Sequence, residues 1–145
     1  MKYLIQMNDD TVEIMQTVGT ATVEQCIAKW HVSKQSRILS HASIDSSMIP
    51  TDRTFRNAWS WNGTEIVHNM PKCREIHRAK LRELRRPLFA ENDLAIRDAQ
   101  IDGDSVKLSA AVARRNALRD VTADPRIDAA QTPEELKTIL PEVLK

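Results

Sequence analysis

"DRTFRNAWSWNGTEIVHNMPKCREIHRAKLRELRR", residues 52–86, changes character halfway along, and that change decides the fold. The first half gathers Phe55, Trp59 and Trp61 ahead of an Asn62-Gly63 pair. Asn and Gly both accept positive φ, so the pair predicts a two-residue type I′ turn between two short strands. Such a turn sets Trp61 opposite Thr64 and Trp59 opposite Ile66. Those four side chains then share one face, with Ser60, Glu65 and Val67 on the other. The second half reads as a helix, with Pro71 in its first turn. At about 100° per residue, Ile76, Leu84 and Leu88 fall within about 120° of arc, with Cys73 and Lys80 between them. They predict an apolar stripe facing a partner. Pro87 lies inside the pattern and is expected to kink the helix, because it removes an amide donor and crowds the preceding turn. The helix resumes through "LFAENDLAIRDAQ".

Toward the N-terminus the period is two. Tyr3, Ile5 and Met7 alternate with Leu4 and Gln6, "NDD" breaks the run, and Val12 and Ile14 resume it. Two alternating segments around an Asn/Asp-rich turn read as a hairpin that Gly19 closes. Thr22 followed by Gln25 three residues later is a capping box for a short helix. Val23, Cys26, Ile27 and Trp30 occupy one face of that helix. "RILSHASI" supplies a third strand, and Pro50 punctuates the loop after it.

Toward the C-terminus the period is helical. "IDGDS" turns the chain, and Asp104 is positioned to cap "VKLSAAVARRNALRDV". Val106, Ala110, Ala113 and Ala117 have helical spacing and small side chains, which predicts close packing on the preceding helix. "TADPRID" ends that helix. A short terminal helix follows, with Thr132 as cap, Pro133 at the first position and Glu135 completing a capping box. The expected fold is α+β: a β-sheet module with one short helix at 1–69, then an antiparallel helical hairpin and a short terminal helix at 70–145.

Bulk composition sets the limits. The 145 residues are 41% apolar and 28% charged with a net charge of +1, which fits a folded, soluble protein and excludes a globally basic one. Aromatics are only 4%, so the core must be mainly aliphatic. Cys26 and Cys73 read as buried free thiols of a reducing compartment. No signal peptide core and no stretch of about 20 apolar residues is present, so a membrane partner is not expected.

Charge is distributed unevenly along the helical half. Lys72, Arg74, Arg78, Lys80, Arg82, Arg85 and Arg86 face only Glu75 and Glu83, a net +5 over 72–86. Glu91, Asp93, Asp98, Asp102 and Asp104 face only Arg97, a net −4 over 91–104. A ridge of Arg74, Arg78 and Arg82 could bind phosphates by counterion release. An acidic far end would repel a polyanion, so a dipolar arm suits docking on another polypeptide better, its charge pattern fixing register. The candidate docking residues are Arg74, Arg78, Arg82, Arg85 and Arg86 at the root, Asp98, Asp102 and Asp104 at the far end, and Trp59 and Trp61 on the sheet. The core is the favoured place for Trp59, whereas Trp61, near the turn, is expected to be partly exposed. His68, Cys73 and His77 lack a fourth ligand at metal-binding spacing. With no phosphate loop and no nucleophile elbow, neither catalysis, metal nor cofactor is expected.

The segments D-R-x-F-R-x-A-W at 52–59, M-x-K-x-R-E-I-H-R at 70–78, R-x-x-L-R-D at 115–120, A-D-P-x-I at 123–127 and T-P-E-E-L-K at 132–137 resemble a family of small bacteriophage proteins. "TVEIMQTV" and "AKWH" extend the likeness over nearly the whole chain. The resemblance implies a tail or virion context and brings no catalytic residues. The expected function is a non-enzymatic virion component of tail, fibre or decoration type, made in the host cytoplasm. It would dock on other virion proteins, in several symmetric copies. A tail assembly chaperone that leaves the particle is the alternative, and a nucleic-acid-binding or host-modulating protein a third.

Overall fold

The computed structural model describes all residues, Met1–Lys145, and divides into two compact units, Met1–Lys72 and Cys73–Lys145. The architecture is α+β. In the first unit β1 (Lys2–Met7) lies at the centre of a three-stranded antiparallel sheet, between β2 (Val12–Gln16) and β3 (Ile38–Ser43). Asp10, at φ 60°, turns the chain between β1 and β2.

Because β1 is central, both of its faces are covered. Leu4 joins Val12, Ile44, Ile49, Trp59 and Ile66 on one side. Ile5 and Met7 join Met15 and Val23 on the other, beneath Cys26, Ile27 and Trp30. This second side is the helix side. Helix α1 (Val23–Ile27) starts as its sequence requires: Thr22 Oγ1 accepts from the Gln25 amide at 3.2 Å and Gln25 Oε1 accepts from the Thr22 amide at 3.0 Å. A second short helix, α2 (Val32–Gln35), follows it, so this module has two short helices where one was expected.

The two-stranded ribbon of β4 (Trp59–Trp61) and β5 (Ile66–His68) covers the opposite side. Its register differs from the one expected. Trp61 pairs with Ile66 and Trp59 with His68, around a four-residue loop. Gly63 takes a positive φ of 100°, but Asn62 does not. Instead Asn62 Oδ1 accepts from the amides of Thr64 and Glu65, each at 2.9 Å, and a side chain that captures two amides replaces the type I′ turn. The shift is two residues, an even number, so Trp59, Trp61 and Ile66 keep a common face.

Asn69 Oδ1 accepts from the Lys72 amide at 3.1 Å and opens α3 (Met70–Asp102), which is continuous through Pro87. Gly103, at φ 67°, reverses the chain. Asp104 caps α4 (Ser105–Asp120) by accepting from the amides of Val106 and Lys107. Cross-helix bonds from Arg114 to the Glu91 carboxylate and from Arg85 to the Leu118 carbonyl fix the pair as an antiparallel hairpin. Two short helices, α5 (Pro125–Ala129) and α6 (Pro133–Thr138), close the unit rather than one. Thr132 caps α6 as expected, while Glu135 reaches back one residue further, to the Gln131 amide.

The buried stripes are rotated from the expected ones. On α3 the buried residues are Cys73, His77, Leu81, Asn92 and Ala99, whereas Leu84 is 42% exposed. On α4 they are Ala111 and Leu118, whereas Val106, Ala110, Ala113 and Ala117 lie on the surface. The α3 seam contains His and Asn, polar residues that an apolar-periodicity reading passes over. Exposed and buried alanines on α4 are indistinguishable by hydropathy alone. Leu81→Ala should therefore cost about 2–5 kcal/mol. Leu84→Ala should change stability by no more than about 0.5 kcal/mol. Denaturant midpoints of the two variants measure the difference.

Candidate functional site

The cationic ridge turns inward. Arg74 donates to the Ala130 carbonyl at 2.9 Å, at the C-terminal end of α5. Arg78 donates to the Thr122 carbonyl at 3.3 Å and to Asp128 at 2.7 Å, with a side chain only 19% exposed. Its guanidinium pKa is raised, chiefly by that hydrogen bond to Asp128. Arg85 donates to the carbonyls of Leu118 at 3.2 Å and Arg119 at 2.6 Å, in the last turn of α4. Helix C-termini carry orphan carbonyls and partial negative charge, so cations there serve as caps. Three candidate docking residues, Arg74, Arg78 and Arg85, thus hold the second unit together instead of facing a partner. Arg86 pairs with Glu83 at 2.8 Å on the surface, and Arg82 is exposed.

His77 extends the same row. It is 3% exposed, and its Nε2–H donates to the Ile139 carbonyl at 3.0 Å. Burial holds the imidazole below its ordinary value of 6.5, favouring the neutral ring. One helical turn before it, Cys73 is fully buried and its thiol is pushed up by desolvation. His68 accepts the Trp59 indole N–H at 3.2 Å. No group of three or more His, Cys, Asp or Glu gathers where it could hold a metal ion.

The tryptophans separate. Trp59 is 2% exposed and belongs to the sheet core, so it cannot form a docking surface. Trp61 is half-buried and packs against the same cluster.

At the far end the acidic run is partly neutralised by the returning helix. Glu91 pairs with Arg114 at 3.1 Å and Asp93 with Arg115 at 3.8 Å. Asp104 is occupied as the α4 cap, with Lys107 at 3.4 Å. The strongly dipolar arm expected from sequence is therefore much weaker in the folded hairpin. Asp98 and Asp102 remain, on one wall of a groove of about 530 Å³. Ala95, Ala99, Ala110 and Ala111 line this groove, and Lys107 and Arg114 stand on the α4 side. Asn92 also borders it: Nδ2 donates to the Ala111 carbonyl at 2.9 Å, while the buried Oδ1 has no protein partner.

The residues missed from sequence are apolar. Leu94 is 59% exposed, Ile101 72% and Val106 78%. Leu94 and Ile101, seven residues apart, share the α3 face opposite Asn92 and Ala99. The signal was present in the steps of three and four through Ala90, Leu94, Arg97 and Ile101, which run along the face opposite Asn92 and Ala99.

Arg78→Glu should destabilise the protein by about 1.5–3 kcal/mol, because it removes charge-assisted bonds and sets a carboxylate beside Asp128. Arg82→Glu should be nearly neutral, and thermal unfolding of both variants checks the contrast. The depressed His77 pKa makes a further prediction. An unfolded chain takes up this proton first, so the contribution is full above 6.5 and is lost as pH falls below that value. The urea midpoint should fall between about pH 7.5 and about pH 5.5, and fall less in His77→Gln, whose amide can still donate.

Comparison of the chain with family models, with curated proteins and with solved structures returns no match.

Proposed function

We propose that this chain is a non-enzymatic bacteriophage structural protein, a virion component of tail, fibre or decoration type. The hairpin of α3 and α4 serves to dock it on other virion proteins. The observation that carries the docking reading is the outer surface of that hairpin. Leu94, Ile101 and Val106 are large aliphatic side chains left mostly in water, while the smaller Asn92, Ala99 and Ala111 are buried. Exposed aliphatic residues on an otherwise charged surface favour protein contact. Asp98, Asp102, Lys107 and Arg114 supply charges of both signs nearby, suited to setting register with a partner or with another copy of the chain.

The phage setting rests on the resemblance carried by 52–59, 70–78 and 132–137. A nucleic-acid role is weaker than the ridge suggested, because Arg74, Arg78 and Arg85 are engaged within the fold. No helix is long and apolar enough to cross a membrane.

A tail assembly chaperone would use the same surface and then leave. Mass spectrometry of purified particles separates the two: a stoichiometric band supports the component, and its absence supports the chaperone. Ile101→Glu combined with Val106→Glu should leave folding intact, since both sites are exposed, and abolish incorporation or partner capture. A doubly substituted protein that incorporates normally would remove the hairpin from the docking role.

A further inference from the structure

In the first unit, a cavity of about 180 Å³ lies at the end of the sheet face that carries Leu4. Its lining is Lys2, Ile14, Gln16, Ile49, Arg53, Arg56 and Trp59. Lys2 and Gln16 are directly opposite each other on β1 and β2, so strand pairing fixes their spacing. Arg53 and Arg56 come from the loop and the single 3-10 turn, Arg56–Ala58, that lead into β4. That segment is anchored on either side of Arg56 by Phe55 at 3% exposure and Ala58 at 0%. Three cations, one amide and an apolar floor converge, and no carboxylate is part of the lining. Asp45 senses the charge of Lys2 from outside the cavity.

We propose that this cavity is a binding site for a phosphate group, either the free ion or the head of a small phosphate ester. Charge selects phosphate over a simple carboxylate, because three cations match a dianion better than a monoanion. Shape agrees. At about 180 Å³ the cavity is below the roughly 300 Å³ at which drug-sized ligands begin to fit, so it holds one oxyanion group and excludes a whole nucleotide. The two guanidinium forks offer paired N–H donors to phosphate oxygens, and the side-chain amide of Gln16 adds a neutral donor. Ile14, Ile49 and Trp59 keep one wall apolar, which strengthens each charge–charge contact relative to open water. A bound dianion would offset the three like charges that Lys2, Arg53 and Arg56 bring to the lining. The site is independent of the hairpin and of any docking role there.

Titration of the full-length protein with inorganic phosphate, followed by ¹H–¹⁵N spectra, tests the assignment. The expected result is saturable shifts at the Gln16 side-chain amide and the Trp59 indole N–H. A rise in unfolding temperature should accompany them, as for any ligand that binds only the folded state. Arg53→Gln with Arg56→Gln should weaken binding at least about tenfold while the circular dichroism spectrum stays unchanged, since both side chains are exposed. Methyl phosphate separates the sources: tighter binding than the free ion identifies an ester head, and weaker binding the free ion. The proposal is overturned if phosphate gives no saturable shifts. It also fails if sodium chloride of equal ionic strength reproduces them, if acetate binds as tightly, or if the double variant responds like the parent.

Discussion

The second unit depends on one kind of contact: a side chain of the long helix donating to a main-chain carbonyl where another helix ends. Arg85 meets the last turn of α4, Arg78 the turn after it, Arg74 the end of α5 and His77 the end of α6. Each returning element is short or stops abruptly, and a helix of five or six residues has more orphan carbonyls than bonded ones. Apolar burial alone would leave those carbonyls dry and unsatisfied. Supplying donors from one helix stabilises all the ends at once and fixes the axial position of each element along α3.

Those contacts explain both what the sequence made legible and what it hid. Helix starts are local: Thr22 with Gln25, Asp104, and Thr132 before Pro133 were readable because the cap and its target amides lie within three residues. Strand alternation at Tyr3–Met7 and Val12–Ile14 was readable for the same reason. The helix C-terminal contacts are not local. Arg74 reaches Ala130 and Arg85 reaches Leu118 across long stretches of chain, so a run of seven cations looked like surface. Once Arg, His and Asn belong to the buried face, the search for a purely apolar stripe settles on a face rotated by about 50° from the buried one. Leu84 was assigned inward for that reason.

The hairpin register failed by another route. An Asn-Gly pair permits a two-residue turn but does not compel it, because the Asn side chain can itself bind the two amides that follow. Core demands then decide. Trp59 must be buried with its indole N–H satisfied, and pairing with His68 meets both requirements. Any slip that kept Trp59 inward had to be even, which is why the facing residues were legible although the pairing was not.

Burial of Trp59 also shapes the space beside it. The residue is held from within by Leu4, Ile49 and Ile66, and from its polar edge by His68. The chain approaching it has buried Phe55 and Ala58, so the positions between and before them, Arg56 and Arg53, are left at the surface around the same indole. Cationic side chains at those positions add nothing to the core. Their convergence on an apolar-walled cavity is difficult to explain by folding stability alone. It has a direct physical use if the cavity receives negative charge from a ligand.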